Sequence, residues 1–208
     1  MKTLIFRMLV SIIVISVCSC SKDDTKELEV YPDEVVELVS STILEELEGL
    51  KMTINRGDDP PAIEGTYIIG PCEFDCSNLV ENMDGCYLPD IKVSFYNHVV
   101  GDKSLVISHN YCFDSNYEGG KCDSSKDTYI MGEGRNFTVF SRITMHKEVN
   151  PAVFVCVISG TIIEEGIVDT KVARFMYDDL GDPLGSMMEV GKGIIFFDSD
   201  GLSERIVN

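Results

Sequence analysis

The sequence predicts a mainly β domain preceded by one amphipathic helix. Eight segments rich in Val, Ile, Phe, Tyr and Thr are separated by turn residues, and no helical pattern lies between most of them. Such a series is typical of a closed antiparallel barrel or of a β-sandwich. The predicted strands are Thr66–Ile69, Ile91–Val100, Ser104–Phe113, Thr128–Met131, Asn136–Met145, Ala152–Ile163, Val168–Tyr177 and Gly193–Phe197.

The helix is predicted to run from Pro32 to Leu50. Pro32 suits the first turn of a helix, and Asp33 and Glu34 complement its positive end. Apolar residues then recur at three- and four-residue steps, at Val36, Val39, Ile43, Leu47 and Leu50. We expect this stripe to pack against the β core; binding of a partner protein is the alternative use of the same face.

The first 20 residues predict export and a lipid anchor. Lys2 and Arg7 precede an apolar run, Met8 to Val17, that is shorter than the about 20 residues of a transmembrane helix. The following Val17-Cys18-Ser19-Cys20 resembles a lipobox, with a small residue before the cysteine that is acylated. We therefore expect residues 1–19 to be a signal peptide and Cys20 to hold the mature chain on a membrane. Cleavage before Cys18 and an uncleaved anchor helix are the alternatives.

The segment after Cys20 predicts the location and the start of the fold. Ser21-Lys22-Asp23-Asp24 resembles the export signal of surface lipoproteins in the Bacteroidota, which places the protein in the outer membrane, exposed at the cell surface. Residues 20–31 are polar and charged without apolar periodicity, so they predict a flexible tether. Residues 32–208 are then one domain, of a length that can bury a single core.

The charge of the chain excludes some partners. The full sequence carries 17 basic and 35 acidic residues, and loss of Lys2 and Arg7 with the signal peptide leaves 15 against 35, a formal charge of −20. Such a field repels phosphate backbones and anionic headgroups, so we expect no nucleic acid partner. An acidic surface commonly serves solubility, although it also attracts cations.

Six cysteines remain for the folded domain: Cys72, Cys76, Cys86, Cys112, Cys122 and Cys156. An even number in an oxidising compartment predicts disulfides, with fifteen possible pairings. Cys112 and Cys122 flank a polar loop and form the favoured pair. Cys156 lies in an apolar strand, where a buried free thiol is an equal alternative. Their spacing does not match a zinc site.

One short segment could bind a metal ion. Asp198, Asp200 and Glu204 place carboxylates around a glycine as calcium loops do, although the ligand set is incomplete and an ordinary turn is the alternative. A predicted hairpin at Gly101–Ser104 places Tyr96, His98 and Val100 on one face with Leu105, Ile107 and His109. His98 and His109 would then lie diagonally on that face, but two histidines do not complete a metal site. No nucleophile motif and no phosphate-binding glycine loop is present. We therefore expect neither a cofactor nor catalysis.

One longer motif resembles a known group of proteins. Gly57-Asp58-Asp59-Pro60-Pro61-Ala62-Ile63-Glu64-Gly65-Thr66-Tyr67 resembles the entry to the barrel of poorly characterised Bacteroidota surface lipoproteins. Later segments, such as Gly132–Phe140 and Asp198–Gly201, follow in the same order. The resemblance implies a calycin-like, lipocalin-resembling β-barrel with a possible cavity, and it supplies no catalytic residues.

Two functions fit these observations. The first is a noncatalytic surface lipoprotein that binds a small apolar or amphipathic ligand in its barrel. The second is a protein–protein interaction or adhesion module of the outer membrane, which would use its loops or its helix.

Overall fold

The computed structural model describes residues 31–79, 85–99, 103–111, 125, 127–145 and 151–207. The predicted signal peptide, the lipidated Cys20 and the tether up to residue 30 lie outside these ranges, as do Cys112, Cys122 and His146. Tyr31, which the sequence assigned to the tether, is buried, and its hydroxyl donates to Glu48 at 3.1 Å. The folded part therefore includes at least one residue more than predicted.

Two helices stand where the sequence predicted one. Helix α1 spans Asp33–Val39 and helix α2 spans Ser41–Gly49. Ser40 separates them with a φ of 77°, and its hydroxyl accepts a hydrogen bond from the Ile43 amide at 3.4 Å, which caps α2. The prediction of one continuous helix was wrong because the pattern of apolar residues does not reveal a single residue with positive φ. Neither helix has the length and apolarity needed to cross a bilayer.

The break also changes which residues the helices bury. Val36, predicted in the apolar stripe, is 37% exposed, whereas its neighbour Val35 is fully buried. Val39, Ile43 and Leu47 are buried as predicted. Packing of the helices against the β core is thus confirmed, with a different contact face in α1.

All strands of the described residues belong to one curled sheet, an open half-barrel. The eight predicted segments are all strands, to within two residues at each end. Four further strands were not predicted, and the strand count of about eight is not confirmed. The strands are β1 Asp58–Asp59, β2 Gly65–Ile69, β3 Cys72–Ser77, β4 Tyr87–Leu88, β5 Ile91–Val99, β6 Ser104–Tyr111, β7 Thr128–Glu133, β8 Asn136–Met145, β9 Ala152–Ile162, β10 Gly166–Asp178, β11 Gly193–Asp198 and β12 Leu202–Ile206.

The main path of the sheet runs β1-β7-β8-β9-β10-β12-β2-β5-β6. The path curls so that β6 and β7 approach each other: the Ile130 amide donates to the Lys103 carbonyl at 3.0 Å, and Ile107 forms a bridge with Ser125. The predicted β5–β6 hairpin is confirmed. Its faces differ from the prediction, because a bulge with Asn97 at a φ of 54° shifts the register, and Phe95 rather than Tyr96 faces the core.

The sheet forks beside β10, which is the longest strand. Residues 166–168 of β10 pair with β12, while residues 171–175 pair with β11. The first branch continues through β2, β5 and β6, and the second continues through β3 and β4. A bulge between Val168 and Lys171, where Asp169 has a φ of 54°, lies at the branching point. The chain crosses between the branches twice, from β2 to β3 and from β11 to β12.

Two apolar clusters cover the two faces of the sheet. The inner cluster fills the concave side with large side chains, among them Tyr67, Phe95 and Phe137. The centre of the Phe95 ring lies 6.0 Å from that of Tyr67 and 6.4 Å from that of Phe137. The outer cluster joins the helices to the convex side of β7 to β11. Strand β9 is buried on both faces for this reason, which explains its nearly continuous apolar sequence.

Candidate functional site

A cleft of about 350 Å³ opens on the convex side of the sheet, where the fork meets the segment that follows α2. Eight of its eleven lining residues have polar or charged side chains, in contrast to both apolar clusters. The lining residues are Thr53, Asn55, Asn136, Gly160, Thr161, Asp169, Thr170, Lys171, Phe197, Asp198 and Gly201.

Asn55 fixes one wall of the cleft to the sheet. Its backbone amide donates to the Thr138 hydroxyl at 2.7 Å. Its side-chain Nδ2 donates to the carbonyl oxygens of Phe137 at 2.9 Å and Gly160 at 3.4 Å. The segment after α2 is thereby held across β8 and β9, so this wall does not depend on apolar packing alone.

Asp198 forms the most unusual part of the cleft. It ends β11, is only 5% exposed, and its Oδ2 accepts hydrogen bonds from the Ser203 hydroxyl at 2.6 Å and the Gly70 amide at 3.1 Å. Ser203 in turn lies 2.8 Å from the Thr170 hydroxyl. Since Gly70 follows β2 and Ser203 lies in β12, Asp198 links both chain crossings at the fork.

The other oxygen of Asp198, Oδ1, is buried and has no hydrogen-bond partner among the described residues. A buried polar atom without a partner typically costs about 1–3 kcal/mol, more when it is charged. Burial raises the pKa of the Asp198 carboxyl, hydrogen bonds from Ser203 and Gly70 oppose the rise, and the neighbouring carboxyl of Asp200 adds to it. Asp198 Oδ1 is therefore an unsatisfied acceptor that solvent does not reach.

The only cationic side chain among the lining residues is already paired. Lys171 Nζ lies 2.6 Å from Asp75 Oδ2, and both side chains are about one third exposed. The carboxylate of Asp169, exposed in the β10 bulge, forms no hydrogen bond or ion pair with the described residues. The free charges of the cleft are thus negative.

The structure brings together two of the three predicted metal ligands and leaves the third apart. Asp198 and Asp200 interact, but Glu204 is exposed on β12, and no group of three such side chains is close enough for a metal ion within the described part of the chain. The reason is a tight turn: Asp200 Oδ1 accepts the Leu202 amide at 3.0 Å, and Gly201 has a φ of 86°. The structure thus shows the ordinary turn that was the alternative and does not assemble these three carboxylates, and calcium binding by Asp198, Asp200 and Glu204 stays a prediction.

Three of the cysteines that the structure describes are free thiols: Cys72, Cys76 and Cys86. Cys72 belongs to the inner cluster, whereas Cys76 packs against the outer cluster, because a bulge in β3 turns them to opposite faces. These two therefore cannot be bonded to each other. Cys156 is a buried thiol, one of its two predicted states. The favoured pair, Cys112 and Cys122, stays a prediction.

Sequence reasoning singled out Asp198 but missed Asn55, Asp169 and Lys171. The sequence does contain a pattern that could have indicated Asp169 and Lys171. The polar residues Asp169-Thr170-Lys171 interrupt the apolar sequence of β10, and a polar interruption inside a strand indicates a bulge. Nothing in the sequence around Asn55 indicates its position in the cleft, because its hydrogen-bond partners Phe137 and Gly160 are more than 80 residues away.

With the fold and the cleft described, the chain was compared with protein families, curated proteins and solved structures. None of the three comparisons found a match to this chain.

Proposed function

We propose that this protein is a noncatalytic lipoprotein, anchored through Cys20 at the cell surface, that binds a small molecule in the convex cleft. The observation that carries the binding proposal is the contrast between the two faces of the sheet. The concave interior is filled by the inner cluster, whereas the cleft is open, lined mainly by residues with polar side chains, and of the size of a small-ligand site, about 300–1,000 Å³. This favours a polar ligand over the apolar ligand expected inside a barrel.

The binding proposal can be tested by blocking the cleft. Thr53 is exposed at its rim, so Thr53→Trp would occlude it, while Thr42→Trp places the same ring on the exposed face of α2. Ligand-observed NMR with the mature chain would screen amines, monosaccharides, carboxylates and octanoate. We expect a polar compound to bind the wild type and Thr42→Trp but not Thr53→Trp. Binding of octanoate alone, unaffected by Thr53→Trp, would instead support a ligand in the interior.

The anchoring proposal rests on the lipobox-like Val17-Cys18-Ser19-Cys20 and on the acidic pair that follows it. A mature protein acylated at Cys20, released by Cys20→Ser and removed from intact cells by external protease, is the expected result. An unprocessed initial methionine would contradict it.

The finer fold proposal is a closed, calycin-like barrel. Eight strands of the sheet, β2, β5 to β10 and β12, form a path whose ends β6 and β7 share the contacts described above. Those contacts and the filled concave side support closure. An experimental structure in which β6 and β7 stay apart would argue against it.

One observation favours the second function, a protein-binding surface. The segment between β10 and β11 exposes Leu180, Leu184 and Val190 by 47%, 60% and 56%. Local hydrogen bonds to the carboxylates of Asp178, Asp179 and Asp182 hold its backbone, so the apolar side chains are presented on an ordered loop. Proximity labelling on intact cells should lose specific neighbours when Leu184 and Val190 are both changed to Ser. An unchanged set of neighbours would remove this candidate.

A further inference from the structure

We propose that the loop between β10 and β11, residues 179–192, is a docking surface for a basic amphipathic segment of another protein. This apolar loop is the surface that carries the second function above, so the inference rests on that function and adds the chemistry of the partner.

The first argument is that the apolar loop buries one pair of apolar side chains and exposes another. Met187 and Met188 are half-buried and pack against a small buried cluster that includes Phe154 of β9. Leu184 and Val190 stay 60% and 56% exposed. The two methionines therefore attach the loop to the sheet, and the exposed pair is left for an apolar partner.

The second argument is the conformation of Leu180. Its φ is 48° and its side chain is 47% exposed. The left-handed region costs a leucine conformational energy that glycine would avoid, and an exposed side chain gains little from the core in return. Oδ1 of Asp178 accepts the Leu180 amide at 2.8 Å, and Oδ1 of Asp179 accepts the Gly181 amide at 2.9 Å. A partner that covers Leu180 would therefore meet a loop that is already ordered, so docking would cost little conformational entropy.

The third argument is charge. Between positions 178 and 192, four acidic residues stand against one basic residue, a formal charge of −3. Among the described residues, Asp178 and Asp179 form no ion pair, and each uses only its Oδ1 for the loop backbone. Lysine and arginine side chains of a partner can pair with these carboxylates while its apolar face covers Leu184. A second copy of this chain and an anionic membrane surface would both be repelled.

Three synthetic peptides separate the apolar requirement from the charge requirement. The first is an amphipathic helix of leucine and lysine, the second has glutamate in place of lysine, and the third has serine in place of leucine. Fluorescence anisotropy with the mature chain should show saturable binding of the leucine–lysine peptide, at least about tenfold tighter than binding of either other peptide.

Exposed valines elsewhere provide the control for the apolar side chains. Leu184→Ser/Val190→Ser should weaken binding of the leucine–lysine peptide at least about tenfold. Val99→Ser/Val207→Ser removes two exposed apolar side chains outside the loop and should leave the binding unchanged. Unchanged circular dichroism would show that both double variants are folded.

Exposed glutamates elsewhere provide the control for charge. Asp178→Asn/Glu189→Gln should weaken the same peptide severalfold and reduce the salt dependence of its binding. Glu34→Gln/Glu204→Gln removes the same net charge outside the loop and should leave the binding unchanged. Equal weakening by both pairs would mean that only the overall charge of the chain attracts the peptide, and the inference would be overturned.

The other failures are distinguishable. If no peptide binds, if the leucine–glutamate peptide binds as tightly, or if Leu184→Ser/Val190→Ser binds like the wild type, the inference is overturned. The second function still stands in these cases if that variant loses its neighbours in proximity labelling on cells, and it fails too if the neighbours are unchanged. If phosphatidylcholine vesicles bind the mature chain but not Leu184→Ser/Val190→Ser, the loop contacts a lipid surface and the inference is also overturned.

Discussion

Arg142 is expected to stabilise the attachment of α1 to the sheet more than any exposed arginine could. It lies in β8, and its guanidinium donates to the carbonyl oxygen of Leu38 from Nε at 3.1 Å and from Nη2 at 2.7 Å. Nη2 also binds the carbonyl oxygen of Glu37, and the guanidinium lies 4.1 Å from the centre of the Tyr177 ring. The Arg142 side chain thus satisfies carbonyl oxygens at the end of α1 and covers the ring of Tyr177.

The expected loss follows from these contacts. Hydrogen bonds to a charged group contribute about 1.5–3 kcal/mol, and a partly exposed cation–π contact contributes about 0.5–1 kcal/mol. Methionine keeps most of the length of the side chain but lacks the guanidinium group, so Arg142→Met should lower the free energy of unfolding by about 2–4 kcal/mol. Lysine can reach one carbonyl oxygen but cannot donate from two nitrogen atoms at once, so Arg142→Lys should lower the free energy of unfolding by about half as much.

Urea denaturation of the mature chain, followed by circular dichroism, measures these differences from the midpoint and the slope. Arg135→Met is the matched control, because Arg135 is exposed beside the β7–β8 turn, and its loss should change stability by less than about 0.5 kcal/mol. An Arg142→Met variant as stable as the wild type, or no more destabilised than Arg135→Met, would refute the assigned role.

Three further predictions concern the core, the buried carboxyl and the thiols. Phe137→Ala should cost about 3–5 kcal/mol of unfolding free energy in the same assay, because the fully buried ring lies in a filled interior; a loss below 1 kcal/mol would indicate an empty cavity there. The raised pKa of Asp198 means that the folded state binds more protons than the unfolded one, so wild-type stability relative to Asp198→Asn should fall as pH rises above 3.8, and an increase would contradict this. Burial and the nearby carboxylates of Asp198 and Asp90 raise the pKa of the Cys72 thiol to about 12, so peptide mapping after iodoacetamide treatment should find Cys86 modified in the native protein and Cys72 only after unfolding; labelling of native Cys72 would count against this packing.

The strands could be predicted from the sequence where local chemistry decides the structure. The segments are rich in β-branched and aromatic residues, and both ends of Asn136–Met145 were placed without error. Strand β3 was missed because Cys72–Ser77 mixes charged residues, cysteines and a bulge, so it lacks a regular alternation. Strand β12 was missed because its flanking carboxylates suggested an ion-binding loop.

The cleft itself could not be predicted, because it depends on contacts between distant residues. Asn55, Thr161 and Asp198 reach one place through the fork of the sheet, and the fork depends on which strands pair beside β10. Periodicity reports whether a segment is a strand but not its partner. The sequence did indicate a special role for Asp198, although for a different chemistry.

Asp198 has a structural role at the fork of the sheet. Its structural role needs one oxygen, since Oδ2 alone accepts the bonds from Gly70 and Ser203 that join the two crossings. Asparagine would supply that oxygen without a buried charge, and its Nδ2 would stand where Oδ1 now lacks a partner. A carboxylate at this position is therefore less favourable for folding than its neutral isostere. The Asp198→Asn variant should accordingly be at least as stable as the wild type at neutral pH, and a large loss of stability would show that the second oxygen is required by the fold itself.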